Sequence, residues 1–220
     1  MIEKKLFILG DSISIDYTPF IRKYLGNKWG VLRKGDLPAP EIPGELDSAN
    51  GTDSSVVLRY MEAVLPQIPA ALILLNCGLH DVKRLPDETN NCLNSLDQYQ
   101  KNLSQILRLV QDSKKQVLWV ATTPVNNDRH RRYENSFFRF NEDVIAYNEI
   151  ARSLMLANGI PYIDLYAFTM QIEQPLYRDH VHFYEQISEW QAVYLCGAID
   201  SIFQIQNHEG HFYEFTRTID

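Results

Sequence analysis

Cysteine is scarce in this chain, and no two of its cysteines lie close together. The three residues, Cys77, Cys92 and Cys196, are odd in number, and none belongs to a Cys-x-x-Cys pair. A disulfide scaffold needs an even set of cysteines, and a zinc site needs closely spaced ligands. The sequence therefore argues against both, and it favours a reducing compartment.

Excess positive charge and long apolar segments are also lacking. The formal net charge is -7, whereas nucleic acids and anionic membranes bind basic surfaces. No apolar segment approaches the roughly 20 residues of a membrane span. The apolar run that follows Lys4 and Lys5 is too short for a signal peptide. We therefore expect a cytoplasmic protein with no nucleic-acid partner and no membrane partner.

Apolar runs alternate with helical patterns along the chain, which is typical of a parallel sheet covered by helices. The predicted strands are residues 6–9, 29–32, 70–75, 117–121 and 162–165. The predicted helices are residues 18–25, 56–65, 96–110, 140–157 and 184–205. At 220 residues, without a repeat or a linker, the chain is predicted to form one domain, a three-layer α/β/α sandwich.

Two polar loops and a tail interrupt this pattern. Residues 35–51 are rich in Pro, Gly, Asp and Ser, and loops of that length are often functional. Residues 125–135 are predicted to form a second loop, which carries the basic run Arg129-His130-Arg131-Arg132. That run either steers an anionic substrate or is an ordinary solvated loop. Residues 206–220 have no assigned structure.

A serine follows the first predicted strand at once. Gly10 and Asp11 end the apolar run, and Ser12 comes next. Because ligands of open parallel sheets bind beyond the carboxyl ends of the strands, a hydroxyl at this position can act as a nucleophile. On its own, the same Asp-Ser pair is also typical of a turn or a helix N-cap.

The sequence Asp179-x-x-His182 offers a base for that serine. A carboxylate on one imidazole nitrogen leaves the other nitrogen to face a hydroxyl, and a spacing of three lets both side chains point the same way. The segment follows the fifth predicted strand, and thus reaches the same sheet edge as Ser12. His180 is the rival base, although its place beside Asp179 points it elsewhere. The alternative is a turn capped by Asp179 with both histidines in solvent.

Three segments offer donors for an oxyanion hole, which ester chemistry requires. The first is the backbone N–H of Ser12. The second is Gly51, just ahead of a predicted helix N-terminus, where free N–H groups favour an anion. The third is Gly78-Leu79-His80-Asp81 at the end of the third strand. A plain turn glycine and a structural histidine are the alternatives for Gly51 and His80.

These segments resemble the conserved blocks of the GDSL (SGNH) family of serine esterases and lipases. Gly10-Asp11-Ser12-Ile13 is similar to the first block, and Gly51 lies in the region of the second. Gly44, in the same loop, is an alternative for that second block. Residues 78–81 resemble the third, Gly-x-Asn-Asp, block, and Asp179-x-x-His182 resembles the fifth. The blocks occur in the family's order and span almost the whole chain.

The resemblance implies a flavodoxin-like five-stranded sheet and ester hydrolysis through an acyl-serine, without metal or other cofactor. It implies Ser12 as nucleophile, His182 as base and Asp179 as the residue that orients it. It also implies an oxyanion hole of Ser12, Gly51 and His80. The departure is His80, which stands where the family has asparagine; because neutral imidazole keeps one N–H donor, we expect it to serve as a substitute.

The substrate predicted from the sequence is a small-molecule ester. The loops look polar and no large apolar lid is evident, which favours removal of acetyl groups from a carbohydrate. A lysophospholipase or an acyl thioesterase of the same family is the alternative. A flavodoxin-like domain that binds a ligand without chemistry is the rival from a different class, because His80 departs from the family pattern.

Overall fold

A computed structural model describes residues 4–37, 49–86, 90–113, 115–134 and 136–209. It contains one sheet of five parallel strands in the order β2-β1-β3-β4-β5. The strands are β1 (Lys4–Leu9), β2 (Trp29–Arg33), β3 (Leu72–Leu75), β4 (Gln116–Val120) and β5 (Tyr162–Ile163). This order is the flavodoxin-like arrangement, so the predicted fold class is confirmed.

Helices flank the sheet, and they pack in two groups. They are α1 (Ser12–Leu25), α2 (Ser54–Val64), α3 (Leu96–Ser113), α4 (Asn127–Tyr133), α5 (Asn141–Ala157), α6 (Leu165–Met170) and α7 (Glu185–Glu209). In one group, α7 packs against α1 and α6; in the other, α3 packs against α2 and α5. A short 3-10 turn at Leu65–Gln67 follows α2, where Pro66 stops the helix.

The central strands are apolar because helices cover both of their faces. Residues 6–9 of β1 and all four residues of β3 are buried, so neither strand shows the alternation of a half-exposed strand. On α3 the apolar positions recur at helical spacing, and the buried ones include Tyr99, Leu103 and Ile106.

Exposed ion pairs lie at the edge of the contact between α1 and α7. Lys23 of α1 contacts Glu189 of α7 at 2.7 Å, and Lys28, just beyond α1, contacts Asp200 of α7 at 2.6 Å. Exposed ion pairs of this kind contribute little to the free energy of unfolding. The apolar residues between the helices contribute more. The two helices are thus joined along much of the length of α1.

Two short helices were missed, and several boundaries were wrong. The predicted loop 125–135 contains α4, and the predicted fifth strand ends at Ile163 because α6 begins at Leu165. Both helices begin at a capping side chain: Asn126 accepts from the Arg129 N–H, and Asp164 accepts from the Ala167 N–H. The first helix begins at Ser12 instead of residue 18, and the last continues to Glu209 instead of 205. Among the described residues, no helix has the length and apolar character that crossing a bilayer requires.

Candidate active site

Ser12 is the first residue of α1 and lies directly beyond β1. Asp11 caps the helix, since its carboxylate accepts the N–H of Ile13 at 3.0 Å. The N–H groups of a first helical turn have no acceptor within the helix. The half-buried Ser12 therefore presents both its hydroxyl and its own N–H at the carboxyl edge of the sheet.

The turn that carries Asp179 and His182 is closed by hydrogen bonds on both sides. The N–H of Arg178 donates to the carbonyl of His182 at 2.9 Å, and a β-bridge pairs Tyr177 with Phe183. The side chain of Arg129, on α4, donates to the carbonyl of Asp179. These contacts fix the turn just ahead of α7.

A chain of hydrogen bonds joins the three predicted residues. The Nε2 atom of His182 lies 2.8 Å from Ser12 Oγ, and its Nδ1 atom lies 2.8 Å from Asp179 Oδ2. The other oxygen of Asp179 accepts the N–H groups of Val181 and His182, at 2.9 and 2.8 Å. This arrangement leaves Nε2 to accept the proton of the serine hydroxyl.

The surroundings of Asp179 keep it ionised. Partial burial by itself raises its pKa, but the N–H groups of Val181 and His182 and the imidazole of His182 outweigh burial and lower the pKa to about 2. The carboxylate is therefore charged at neutral pH. A permanent negative charge at Nδ1 is what an imidazole needs to hold a second proton during catalysis.

His180 does not compete for this position. Its Nδ1 atom is 3.8 Å from Asp179 Oδ1, beyond hydrogen-bond distance. Its ring packs edge-on against His130, with 5.1 Å between the ring centres, and its centre is 5.9 Å from that of His182. The expectation that His180 points away from the serine agrees with this geometry.

The segment after β3 brings His80 to the same edge. Gly78 has a φ of +146°, and a Cβ there would collide with Thr122 Oγ1, so this turn requires glycine. Burial, helped by the charges of Lys83, Arg139 and His182, lowers the pKa of His80 to about 3. His80 is thus neutral near pH 7, with a single ring N–H to donate.

Gly51 does not fit its predicted role as an oxyanion donor. Its N–H donates to the carbonyl of Gly10 at 2.8 Å, so this donor is already engaged within the protein. The glycine is required for another reason: a Cβ at this position would lie 2.9 Å from the same carbonyl oxygen. Gly44, the alternative, lies outside the described residues. The structure therefore leaves Ser12 and His80 as the described donors of the predicted set.

A family comparison agrees with this geometry. The model of the GDSL-like lipase/acylhydrolase family matches residues 8–188. The chain belongs to this family. Its members are ester hydrolases, and the chain is accordingly one of these enzymes. The GDSL resemblance that the sequence motifs indicated is thereby confirmed.

Solved structures of GDSL proteins share the fold at low sequence identity. The lipase/acylhydrolase from Enterococcus faecalis is 16% identical, with a TM-score of 0.65 over 90% of this chain and 96% of that one. A GDSL-like lipase from Bacteroides thetaiotaomicron is 18% identical, with a TM-score of 0.64 over 90% and 88%. Est24, a carbohydrate acetylesterase from Sinorhizobium meliloti, is 12% identical, with a TM-score of 0.64 over 91% and 100%. No curated protein matches the chain.

Asp81 of this GDSL-family chain joins two parts of the site. Its buried carboxylate accepts the N–H and the hydroxyl of Ser54, at the start of α2, and the amide of Asn94 at 2.8 Å. Burial raises the pKa of Asp81 to about 7, against the effect of these bonds. The carboxylate thus connects the His80 segment to the helix that follows Gly51.

Two buried residues near the candidate site of this GDSL-family chain were not predicted from the sequence. His130 is fully buried, although it belongs to the basic run that was interpreted as a solvated or steering loop. Arg139 is 4% exposed, and its Nε donates to the carbonyl of Leu79 at 2.7 Å. In the same run, Arg131 and Arg132 are exposed, as predicted for a solvated surface. Within the ranges that the structure describes, no three His, Cys, Asp or Glu residues are grouped to hold a metal ion.

Proposed function

We propose that this GDSL-family chain hydrolyses carboxylic esters through an acyl-serine intermediate. In this proposal Ser12 is the nucleophile, His182 the general base and Asp179 the residue that orients the imidazole. The observation that carries the proposal is the pair of 2.8 Å contacts that link hydroxyl, imidazole and carboxylate. An Asp-x-x-His turn with a purely structural role does not require its free ring nitrogen to contact a serine at the end of a strand.

The proposed reaction has two halves. Ser12 Oγ forms a bond to the ester carbonyl carbon while Nε2 of His182 takes the hydroxyl proton, and the carbonyl electron pair moves to oxygen. The tetrahedral intermediate collapses, the alcohol leaves with the proton from His182, and an acyl-serine remains. Water then attacks the acyl carbon in the same way, which releases the carboxylic acid and restores Ser12.

The oxyanion hole in this proposal consists of the Ser12 N–H and the His80 ring. Preorganised donors near the developing negative charge are typically the largest electrostatic contribution to acyl transfer. The N–H of Ser12 lies in the first turn of α1, where the helix dipole also favours negative charge. His80 is neutral at pH 7 and supplies a ring N–H where the family has an asparagine amide.

For the substrate we propose an ester with a short acyl group, such as an acetylated carbohydrate. The polar rings of His180 and His80 near His182 favour a polar substrate over a long acyl chain. The structural similarity to Est24, a carbohydrate acetylesterase, is consistent with this choice. A series of p-nitrophenyl esters tests it: kcat/KM should be greatest for acetate, whereas a maximum at octanoate or beyond would indicate a lysophospholipase or acyl thioesterase.

A fluorophosphonate probe tests the mechanism directly. The wild-type chain should be labelled at Ser12, and peptide mass spectrometry should locate the adduct there. His182→Ala should lose the labelling, and Ser153→Ala, which changes an exposed serine, should keep it. A folded wild-type chain that the probe leaves unmodified would favour the rival interpretation, a binding domain without chemistry.

A further inference from the structure

Arg139 is a buried cation that makes no ion pair with the residues that the structure describes. Its side chain is 4% exposed, and the carboxylates of Asp11 and Glu134 favour its charge from beyond ion-pair distance. Its Nε donates to the carbonyl of Leu79 at 2.7 Å, and its Nη1 lies 3.5 Å from His130 Nε2. Because a guanidinium only donates, His130 must accept through Nε2 and carry its own proton on Nδ1.

Such an arrangement is costly for folding alone. Removing a charge from water without a full compensating charge destabilises the folded chain. Burial lowers the pKa of Arg139 to about 10, so the cation still holds its proton at neutral pH. Neutral His130, whose pKa burial lowers to about 4, provides no compensating charge. The charges of Asp11 and Glu134 offset only part of the cost of burial, and a buried cation with a strongly shifted pKa is characteristic of functional sites.

The position of Arg139 links it to both proposed oxyanion donors. Its hydrogen bond to Leu79 fixes the residue directly before His80. Its charge also reaches Asp11, the residue directly before Ser12, where it opposes part of the rise in pKa that burial causes. The guanidinium thus acts on both described segments of the oxyanion hole, Ser12 on one side and His80 on the other.

We propose that Arg139 is a positioning residue of this ester hydrolase: it anchors the Leu79 carbonyl so that the His80 ring faces the ester, and its charge favours the developing oxyanion. The inference depends on the proposed acyl-serine mechanism. It assigns a role to an arginine 60 residues away in sequence from the carbonyl that it holds. It also gives a reason for retaining a buried cation whose burial cost Asp11 and Glu134 offset only in part.

Chemical rescue of Arg139→Ala is the test. The variant should keep the wild-type fold by circular dichroism and lower kcat by about 10²-fold, with KM changed far less. Guanidinium chloride at a concentration well below denaturation should restore part of kcat. Urea, which has the same shape and no charge, should not restore it, nor should sodium chloride at equal ionic strength. Arg132→Ala, which removes an exposed arginine, should behave as wild type with every additive.

Three results would overturn the inference: an unchanged kcat in Arg139→Ala, a change in KM alone, or equal rescue by urea. If Arg139→Ala fails to fold, Arg139→Lys and Arg139→Gln replace it. The lysine variant keeps the charge and should retain more kcat than the glutamine variant; equal losses would contradict the role of charge. A wild-type chain that is not labelled at Ser12 would instead overturn the proposed function itself.

Discussion

The two sides of the candidate active site are held together in different ways. On the side of the base, Asp179 and His182 are three residues apart, and the described hydrogen bonds of the Asp179 carboxylate come from Val181 and His182 of the same turn. On the oxyanion side, the contacts join distant parts of the chain: Gly51 to Gly10, and Asp81 to Ser54. The first side is preorganised locally, whereas the second depends on the complete fold.

This difference predicts how each side responds to change. A substitution on the base side removes chemistry and leaves the fold intact, because the turn depends on few other elements. A substitution on the oxyanion side alters both catalysis and the packing between β3 and α2. Substitutions on the base side should therefore lower activity without lowering stability, whereas substitutions on the oxyanion side should lower both.

The largest expected effect is on the base side. Ser12→Ala or His182→Ala should lower kcat by about 10⁴- to 10⁶-fold, because the nucleophile or its base is removed. The urea midpoint of unfolding should change little, since both side chains are only half-buried. Initial rates with p-nitrophenyl acetate and urea titrations measure the two quantities. If Ser12→Ala kept more than a tenth of wild-type activity, another residue would have to be the nucleophile, and if His182→Ala did, another residue would have to be the base.

The oxyanion side should show a smaller loss of activity. His80→Ala should lower kcat by about 10²- to 10³-fold, as expected for the loss of one oxyanion donor. His80→Asn restores the family's amide and should retain much of the activity, which makes it the matched control. Steady-state kinetics on both variants would decide the role of the ring. Equal activity in wild type and His80→Ala would remove His80 from the mechanism.

The carboxyl of Asp81 should make stability depend on pH. Its pKa is raised to about 7, so between about pH 4 and pH 7 the folded chain holds a proton that the unfolded chain has lost. The free energy of unfolding should therefore fall as pH rises through this window, by about 4 kcal/mol for a shift of about three pKa units. Asp81→Asn cannot titrate and should flatten the slope.

Urea unfolding at pH 5 and pH 8 measures this effect. The wild type should lose more stability between the two values than Asp81→Asn does. Asp128→Asn, which changes an exposed carboxylate on α4, should keep the wild-type slope. Parallel slopes for wild type and Asp81→Asn would show that Asp81 is already ionised in the folded chain across this range.

The smallest expected effect concerns a single support of the base side. Arg129→Gln removes the donor to the Asp179 carbonyl, which is worth about 1 kcal/mol or roughly five-fold in rate. The turn keeps its own hydrogen bonds, so the loss should stay near this value. Arg132→Gln is the control because that side chain is exposed. A loss in kcat/KM as large as that of His80→Ala would mean that the turn is not self-supporting.

Local sequence signals predicted the base side well and the oxyanion side in part. The five strands were found because their apolar runs are short and bounded by turn residues. Asp179 and His182 were placed together because their spacing alone brings their side chains to one side of a turn. Ser12 was placed at the sheet edge by the strand before it. The catalytic roles of the three remain predictions.

The errors occurred where distant contacts decide the outcome. Gly51 precedes a helix, as an oxyanion donor can, yet its N–H bonds to Gly10, a partner that only the fold brings near. Arg139 and His130 look like surface residues in sequence, because only the fold brings Leu79 to Arg139 and His180 to His130. The helices α4 and α6 are too short for a periodic pattern, although Asn126 and Asp164 are recognisable caps.

The packing of α1 against α7 has a consequence for the reacting groups. Ser12 is the first residue of α1, and His182 lies just before α7. The hydroxyl and the imidazole therefore lie at the N-terminal ends of two helices that pack against each other. If one helix slid along the other, the distance between Ser12 Oγ and His182 Nε2 would increase, although no reacting group would have changed. The apolar contact between the two helices therefore aligns the reacting groups, and heating that loosens this contact should lower turnover before the molecule unfolds.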